Sequence, residues 1–236
     1  MPKKRALIIV KTEPPVREET EWNNWYDNEH IPDRLGIPGF LSARRFIRIG
    51  DESKGFITKG EPKYITLYDI NSTDVLKSEP YLKLKEREAS LPSDSFVAVT
   101  KRLTNFTRGV YEQIYPKEGE YKPPHTKFVF LVGHDVPQNR EEEFNAWYDT
   151  EHVPGVLKVP GFLTGRRFRL AEGEFSPTPS SKSLISTFLT VYDIDNESVF
   201  ESDAFKKAAE SPWSDWVRSW YTKRMRMLYR RIYPKE

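Results

Sequence analysis

Cysteine is absent from the 236 residues, which excludes a disulfide framework, a thiol nucleophile, a zinc–thiolate site and a cysteine-ligated iron–sulfur cluster. Histidine is scarce, with four residues, so no metal site is expected. No apolar stretch approaches the length of a membrane span. The basic start Pro2-Lys3-Lys4-Arg5 leads into only five apolar residues, Ala6 to Val10, before Lys11. That run is short for a signal peptide, so a cytoplasmic protein without membrane attachment is expected. An excess of one charge sign is also missing: 37 Lys and Arg stand against 35 Asp and Glu. The basic residues are scattered among the acidic ones, and nucleic acid is not expected as a partner. Neither a Gly-rich phosphate loop nor a Gly-x-Ser-x-Gly elbow occurs, which disfavours nucleotide cofactors and an α/β-hydrolase.

What is present is aromatic and repeated. Hydrophobic residues make up only 37%, but Phe, Trp and Tyr contribute 14% and carry much buried area per residue, so a packed core is expected. Residues 25–46 read WYDNEHIPDRLGIPGFLSARRF and residues 147–168 read WYDTEHVPGVLKVPGFLTGRRF, with 14 of 22 positions identical at an offset of 122. Tyr68-Asp69-Ile70 recurs as Tyr192-Asp193-Ile194, and Ile114-Tyr115-Pro116-Lys117-Glu118 as Ile232-Tyr233-Pro234-Lys235-Glu236. The chain reads as one module written twice, residues 1–118 and 126–236, joined by a linker at 119–125.

Within each copy the periodicity changes in a fixed order. Ala6 to Thr12 and Lys127 to Val132 are compact apolar runs that predict buried strands. Acid-rich starts after Pro14-Pro15 and Pro137 predict a helix in each copy, ending near His30 and His152 because Pro32 and Pro154 follow. A second strand follows each Pro-Gly, with Phe40, Ser42, Arg44 and Phe46 alternating against Leu41, Ala43, Arg45 and Ile47. Strands over Tyr64–Ile70 and Phe188–Ile194 precede helices over about 73–89 and 197–210, and last strands near 109–115 and 227–233 close the modules. Trp213, Trp216 and Trp220 at i, i+3, i+7 predict a packed helix face. The fold class is α+β: two ferredoxin-like βαββαβ modules whose antiparallel sheets pack face to face.

The pattern W-Y-D-x-E-H-x-P-x-x-L-x-x-P-G-F-x-x-x-R-R-F, present at Trp25–Phe46 and Trp147–Phe168, resembles the dimeric α+β barrel superfamily, and most nearly its EthD-like group. The likeness spans both halves. It implies that the usual homodimer is fused into one chain, a monomeric barrel by fusion, with a further homodimer conceivable through the helix faces. Relatives include cofactor-free muconolactone isomerases, aromatic polyketide cyclases and decarboxylases, and anthrone-oxidising monooxygenases. Haem-using relatives exist too, and one His suffices as an axial ligand. The motif carries nothing peculiar to haem peroxidases, so no cofactor is expected.

His30 and His152, placed at helix ends where the dipole favours the cation, are read either as general acid–base residues with a pKa near or above neutrality or as helix caps. Tyr26 and Asp27 lie four and three residues before His30, as Tyr148 and Asp149 do before His152; the Asp could fix a tautomer and the Tyr could donate to an oxyanion. Trp25 and Trp147 fit core packing or a pocket wall, and Glu29 and Glu151 need a nearby cation. Arg44-Arg45 and Arg166-Arg167 are adjacent on strands, so at least one of each pair should point inward, to a motif carboxylate or to an anionic substrate. Tyr64, Thr66 and Tyr68, with Thr190 and Tyr192, form a hydroxyl-bearing face suited to a pocket wall. Asp33-Arg34 becomes Gly155-Val156 in the second copy, which predicts a less polar second mouth. The function expected is a cofactor-independent lyase, isomerase or cyclase acting on a small, largely apolar carbonyl or phenolic compound. A non-catalytic small-molecule-binding or stress-responsive barrel is the rival, and a haem-binding protein or cofactor-free monooxygenase stands behind both.

Overall fold

The computed structural model describes residues 4–50, 57–103, 106–117, 125–172 and 185–235. The linker drawn at 119–125 lies outside them, apart from His125.

The apolar runs form the central strands. β1 (Ala6–Thr12) and β3 (Tyr64–Ile70) are buried at every residue and pair with each other, Ile9 opposite Leu67. β2 (Phe40–Arg48) flanks β3, and β4 (Thr107–Tyr115) flanks β1 on its other side. The second half repeats this with β5 (Phe128–Asp135), β6 (Phe162–Leu170), β7 (Phe188–Ile194) and β8 (Lys223–Tyr233). The sheets face each other as expected, and their edges also join. β2 pairs with β8 and β4 with β6, so that the order β1-β3-β2-β8-β5-β7-β6-β4 closes an eight-stranded barrel. Among the described residues, closure leaves no sheet edge unpaired.

One face of every strand fills the barrel: Leu7, Phe46, Leu67, Leu131, Phe168 and Val191 meet there. The other face carries the helices and holds a separate core in each half. The alternation predicted along β2 breaks near its start, where the register shifts between Phe40 and Ser42. Phe40 therefore joins Ala43 on the helix side while Phe46 faces the barrel. The same shift occurs between Phe162 and Thr164. It follows Gly39 and Gly161, whose φ values of 100° and 98° lie in the left-handed region, and where a Cβ would meet Val75 or Val199 at 2.5 and 2.3 Å.

The first helix is longer than predicted. α1 (Glu19–Trp25) runs into a π-helical turn at Tyr26–His30 and on through α2 (Ile31–Leu35), so His30 does not end a helix. The Ile31 amide donates to the Tyr26 carbonyl, five residues back. This wider turn is what lets Pro32, which lacks an amide and crowds the carbonyl four residues before it, stay in the helix. The predicted helix over 73–89 is a 3₁₀ turn at Thr73–Lys77 followed by α3 (Glu79–Ala89), broken at Ser78 before Pro80. An unforeseen helix, α4 (Phe96–Arg102), follows. In the second half α5 (Glu141–Trp147), a π turn at Tyr148–His152 and α6 (Val153–Val156) repeat the first helix. α7 (Asp203–Ala208) and α8 (Pro212–Arg218) complete the layer. Trp213 and Trp220 pack on the core, but Trp216 is 48% exposed and donates to Glu143 at 2.7 Å. Trp220 lies beyond the end of α8.

Candidate functional site

The four paired arginines settle first, because all four are buried and a buried guanidinium must be paired. Arg44 and Arg166 point into the barrel and bond Asp193 and Asp69 of the opposite half. Ser42 adds a hydrogen bond to Asp69 at 3.0 Å, and Thr164 adds one to Asp193 at 2.8 Å. Burial alone would raise the Asp69 carboxyl, yet Arg166 and Arg44 hold it below its ordinary value. Arg45 and Arg167 face the helices, bond Asp27 and Asp149, and lie 4.3 and 4.4 Å from the centroids of the Tyr26 and Tyr148 rings. The arginines are therefore committed to ion pairs, and none lines a cavity described below. Asp27 and Asp149 are likewise held by arginine and do not orient the histidines.

Two cavities lie between the helices and the outer face of each half-sheet. The first, of about 80 Å³, is lined by His30, Tyr26, Tyr68, Phe40, Ile8 and Val10, with Tyr81, Lys85 and Glu88 from α3, Val97 and Thr100 from α4, and Arg34, Phe106 and Arg108. Tyr68 donates to the Tyr26 hydroxyl at 3.3 Å, and burial raises the Tyr68 phenol well above its usual value. The His30 ring packs 4.7 Å from Trp25 and 4.5 Å from Tyr26. Its Nδ1 is buried without a hydrogen-bond partner among the described residues. Arg34 and Lys85 both bond Glu88, Lys85 at 2.8 Å.

The second cavity, of about 60 Å³, is lined by His152, Tyr148, Tyr192, Trp147, Phe162, Phe130, Val132 and His134, with Val156, Phe205, Ala209, Tyr221 and three arginines, Arg218, Arg224 and Arg226. Trp147 stacks on His152 at 4.5 Å, and His134 packs 5.7 Å from Tyr148. His152 Nδ1 also has no hydrogen-bond partner among the described residues.

The electrostatics reverse the expectation of raised histidine pKa values. Burial, then Arg34, Lys85 and Arg45, push His30 well below its usual value. Burial and nearby arginines push His152 down to about 3, and burial with His152 and arginines does the same in direction to His134. Burial is the largest cause for all three: the π turns keep His30 and His152 within a continuing helix rather than at its end, His134 lies on β5, and desolvation with neighbouring cations sets the direction in each. All three are neutral at pH 7, so each keeps an unprotonated ring nitrogen able to accept a hydrogen bond.

Of the residues singled out from sequence, Tyr26, His30 and Tyr68 meet in the first cavity and Trp147, Tyr148, His152 and Tyr192 in the second. The rest go elsewhere. Tyr64 bonds Glu19 and accepts from Asn23 at 3.2 Å. Thr66 is buried opposite Arg45. Thr190 hydrogen-bonds Tyr148, and Trp25 backs His30 and stacks on Phe96 at 5.6 Å. Glu29 is exposed, and Glu151 accepts from Ser211 at 2.5 Å instead of meeting a cation. The second mouth is not less polar: the position of Arg34 is taken by Val156, but arginines arrive from α8 and β8. His134 was missed because β5 extends past Val132. The offset of 122 places it opposite Thr12, the last residue of β1, and that was the available signal.

No protein-family model matches the chain, and no curated protein matches it. Solved structures do. A candidate monooxygenase from Fusobacterium nucleatum subsp. nucleatum superposes with a TM-score of 0.60 at 10% identity, covering 98% of this chain and 94% of its own. An anthrone oxidase-like protein gives 0.58 at 14%, covering 98% and 92%. A candidate chlorite dismutase gives 0.55 at 11%, covering 98% and 95%. At these identities the likeness is one of fold: the chain has the architecture of the dimeric α+β barrel proteins, here closed within one polypeptide. The haem used by some proteins that the motif resembles would need an imidazole nitrogen open to its iron, and here Nδ1 of both histidines is buried and aromatic rings pack against both imidazoles.

Proposed function

We propose that the protein is a cofactor-independent enzyme of the lyase, isomerase or cyclase type, a fused pair of EthD-like modules that acts as a cytoplasmic monomeric barrel on small carbonyl or phenolic compounds. The observation that carries this is the His30 imidazole, neutral and with its Nδ1 unpartnered, set in a largely apolar cavity beside the linked Tyr26 and Tyr68 hydroxyls. A neutral imidazole there is a general base. It takes a proton from a carbon next to a carbonyl, or from a phenol, and the phenolic hydroxyls donate to the oxygen on which negative charge develops. Apolar walls exclude water from the resulting enolate. His152, with Tyr148 and Tyr192, repeats the arrangement in the second cavity. Histidines that line cavities rather than open surface favour catalysis or ligand binding over helix capping.

A cofactor-free oxygenation is the second reading. It is favoured by the fold likeness to a candidate monooxygenase and an anthrone oxidase-like protein, and it would begin with the same proton removal. Both readings are tested by incubating the protein in D₂O with a panel of small cyclic ketones and phenolic ketones. Deuterium should enter the carbon next to the carbonyl, and His30→Gln should lower the rate by about 100-fold or more. Oxygen uptake separates the second reading from the first. No exchange with any compound, or exchange that survives loss of both His30 and His152, would leave a binding protein.

A further inference from the structure

The second cavity is rich in donors. Arg218, Arg224 and Arg226 stand on its wall, and no carboxylate is among the described residues that line it. The first cavity differs, since Glu88 already answers Arg34 and Lys85 there. Arg218 is held in place by the Ala209 carbonyl and by Asp215 at 3.3 Å, and Arg224 lies 5.7 Å from the centre of the Tyr221 ring. Three further buried polar atoms of lining residues have no hydrogen-bond partner among the described residues: Trp147 Nε1, the Tyr192 hydroxyl and His152 Nδ1. An indole N–H can only donate, so Trp147, 3% exposed, presents a donor that no described residue answers. Phe130, Val132, Phe162 and Phe205 supply an apolar stretch of the wall, beside His134, Tyr148 and Tyr221.

We propose that the second cavity binds a small organic monoanion, a carboxylate joined to an apolar or aromatic body, with the carboxylate set against the three arginines and the body against the phenylalanines. Charge-assisted bonds from guanidinium groups suit a carboxylate. The arginines also burden one another: burial, then Arg224, hold Arg226 down to about 10, and a bound anion would relieve that. The proposal rests on the second cavity being a ligand site, as in the reading above, but not on turnover there.

The test is a titration of the full chain, followed through the ring protons of its four histidines, with benzoate and with benzamide, its neutral counterpart. Benzoate should shift His134 and His152, leave His30 in place, and bind at least about tenfold more tightly than benzamide. Arg226→Gln and Arg224→Gln should each weaken benzoate about tenfold or more and leave benzamide unchanged, while Arg108→Gln in the first cavity should do neither. Arg226→Lys, which keeps the charge, should restore part of the affinity and guards against a folding defect. Equal affinity for the two probes, perturbation of His30 instead, absence of saturable benzoate binding, or indifference to both arginine variants would each overturn the proposal. Because this experiment reads binding alone, it can fail while deuterium exchange succeeds, or succeed while exchange fails.

Discussion

The two cavities share their floor and differ in their rims. Tyr26 and His30 correspond to Tyr148 and His152, Phe40 to Phe162 and Tyr68 to Tyr192. By strand register Arg108 corresponds to Arg226, both opposite an equivalent valine, Val10 or Val132. The differences surround this frame. Thr12 becomes His134, Arg34 becomes Val156, Lys85 becomes Ala209, and Arg218 and Arg224 have no basic equivalent among the described residues that line the first cavity. The groups suited to proton transfer thus sit on the repeated segment, and the groups that would select a ligand sit where the halves diverge.

The comparison can be broken most forcefully inside the barrel, where the halves should behave alike. Arg44→Met leaves Asp193, and Arg166→Met leaves Asp69, buried without its cross-barrel guanidinium. Each should cost about 3–5 kcal/mol in denaturant unfolding. Costs that differ by more than about 1 kcal/mol would show that the interior is not symmetric.

A smaller effect separates the halves by pH. Unfolded histidines take up protons as the pH falls below about 6.5. The folded forms of His30, His134 and His152 resist protonation because their values are depressed, His152 to about 3. Stability is therefore fully present above pH 6.5 and is lost on acidification from there down towards the folded values, by up to about 1.4 kcal/mol per pH unit for each histidine. Two of the three lie in the second half, so His134→Phe with His152→Gln should flatten the dependence of the urea midpoint between pH 6.5 and 5 more than His30→Gln does. An unchanged slope would mean that water reaches these rings freely.

The smallest effect lies at the first mouth, where exposed Arg87 bonds Asp33, a residue replaced by Gly155 in the other half. Asp33→Gly costs helix propensity as well, so Asp33→Ala is the cleaner probe. It should change stability by no more than about 1 kcal/mol, and a larger loss would make the mouth a structural element rather than a solvated rim.

Much of the fold was legible because it depends on local signals. The intervals Tyr64–Ile70 and Phe188–Ile194 are strands with the predicted bounds, since a run of aromatic, aliphatic and β-branched residues, interrupted only by Asp69 or Asp193, has few other ways to be buried. The repeat at an offset of 122 implied matching halves. Boundaries were less legible wherever a compensation was needed. A proline usually ends a helix, and the wider turn that absorbs Pro32 and Pro154 leaves no pattern in composition. α4 was missed because its seven residues are too few to establish a period.

For the site, sequence alone determined the residue types at the floor of each cavity, the aromatic ring beside each histidine, and the need for inward arginines to find anions. Only the tertiary structure decided which anions those would be. Asp69 and Asp193 reach Arg166 and Arg44 from the opposite half, a pairing that exists only because the two half-sheets enclose one interior. The same holds for the charge of the histidines. A helix end and a helix interior look alike in a string of residues, but the dielectric around an imidazole is set by everything packed against it, from strands and helices distant in the chain.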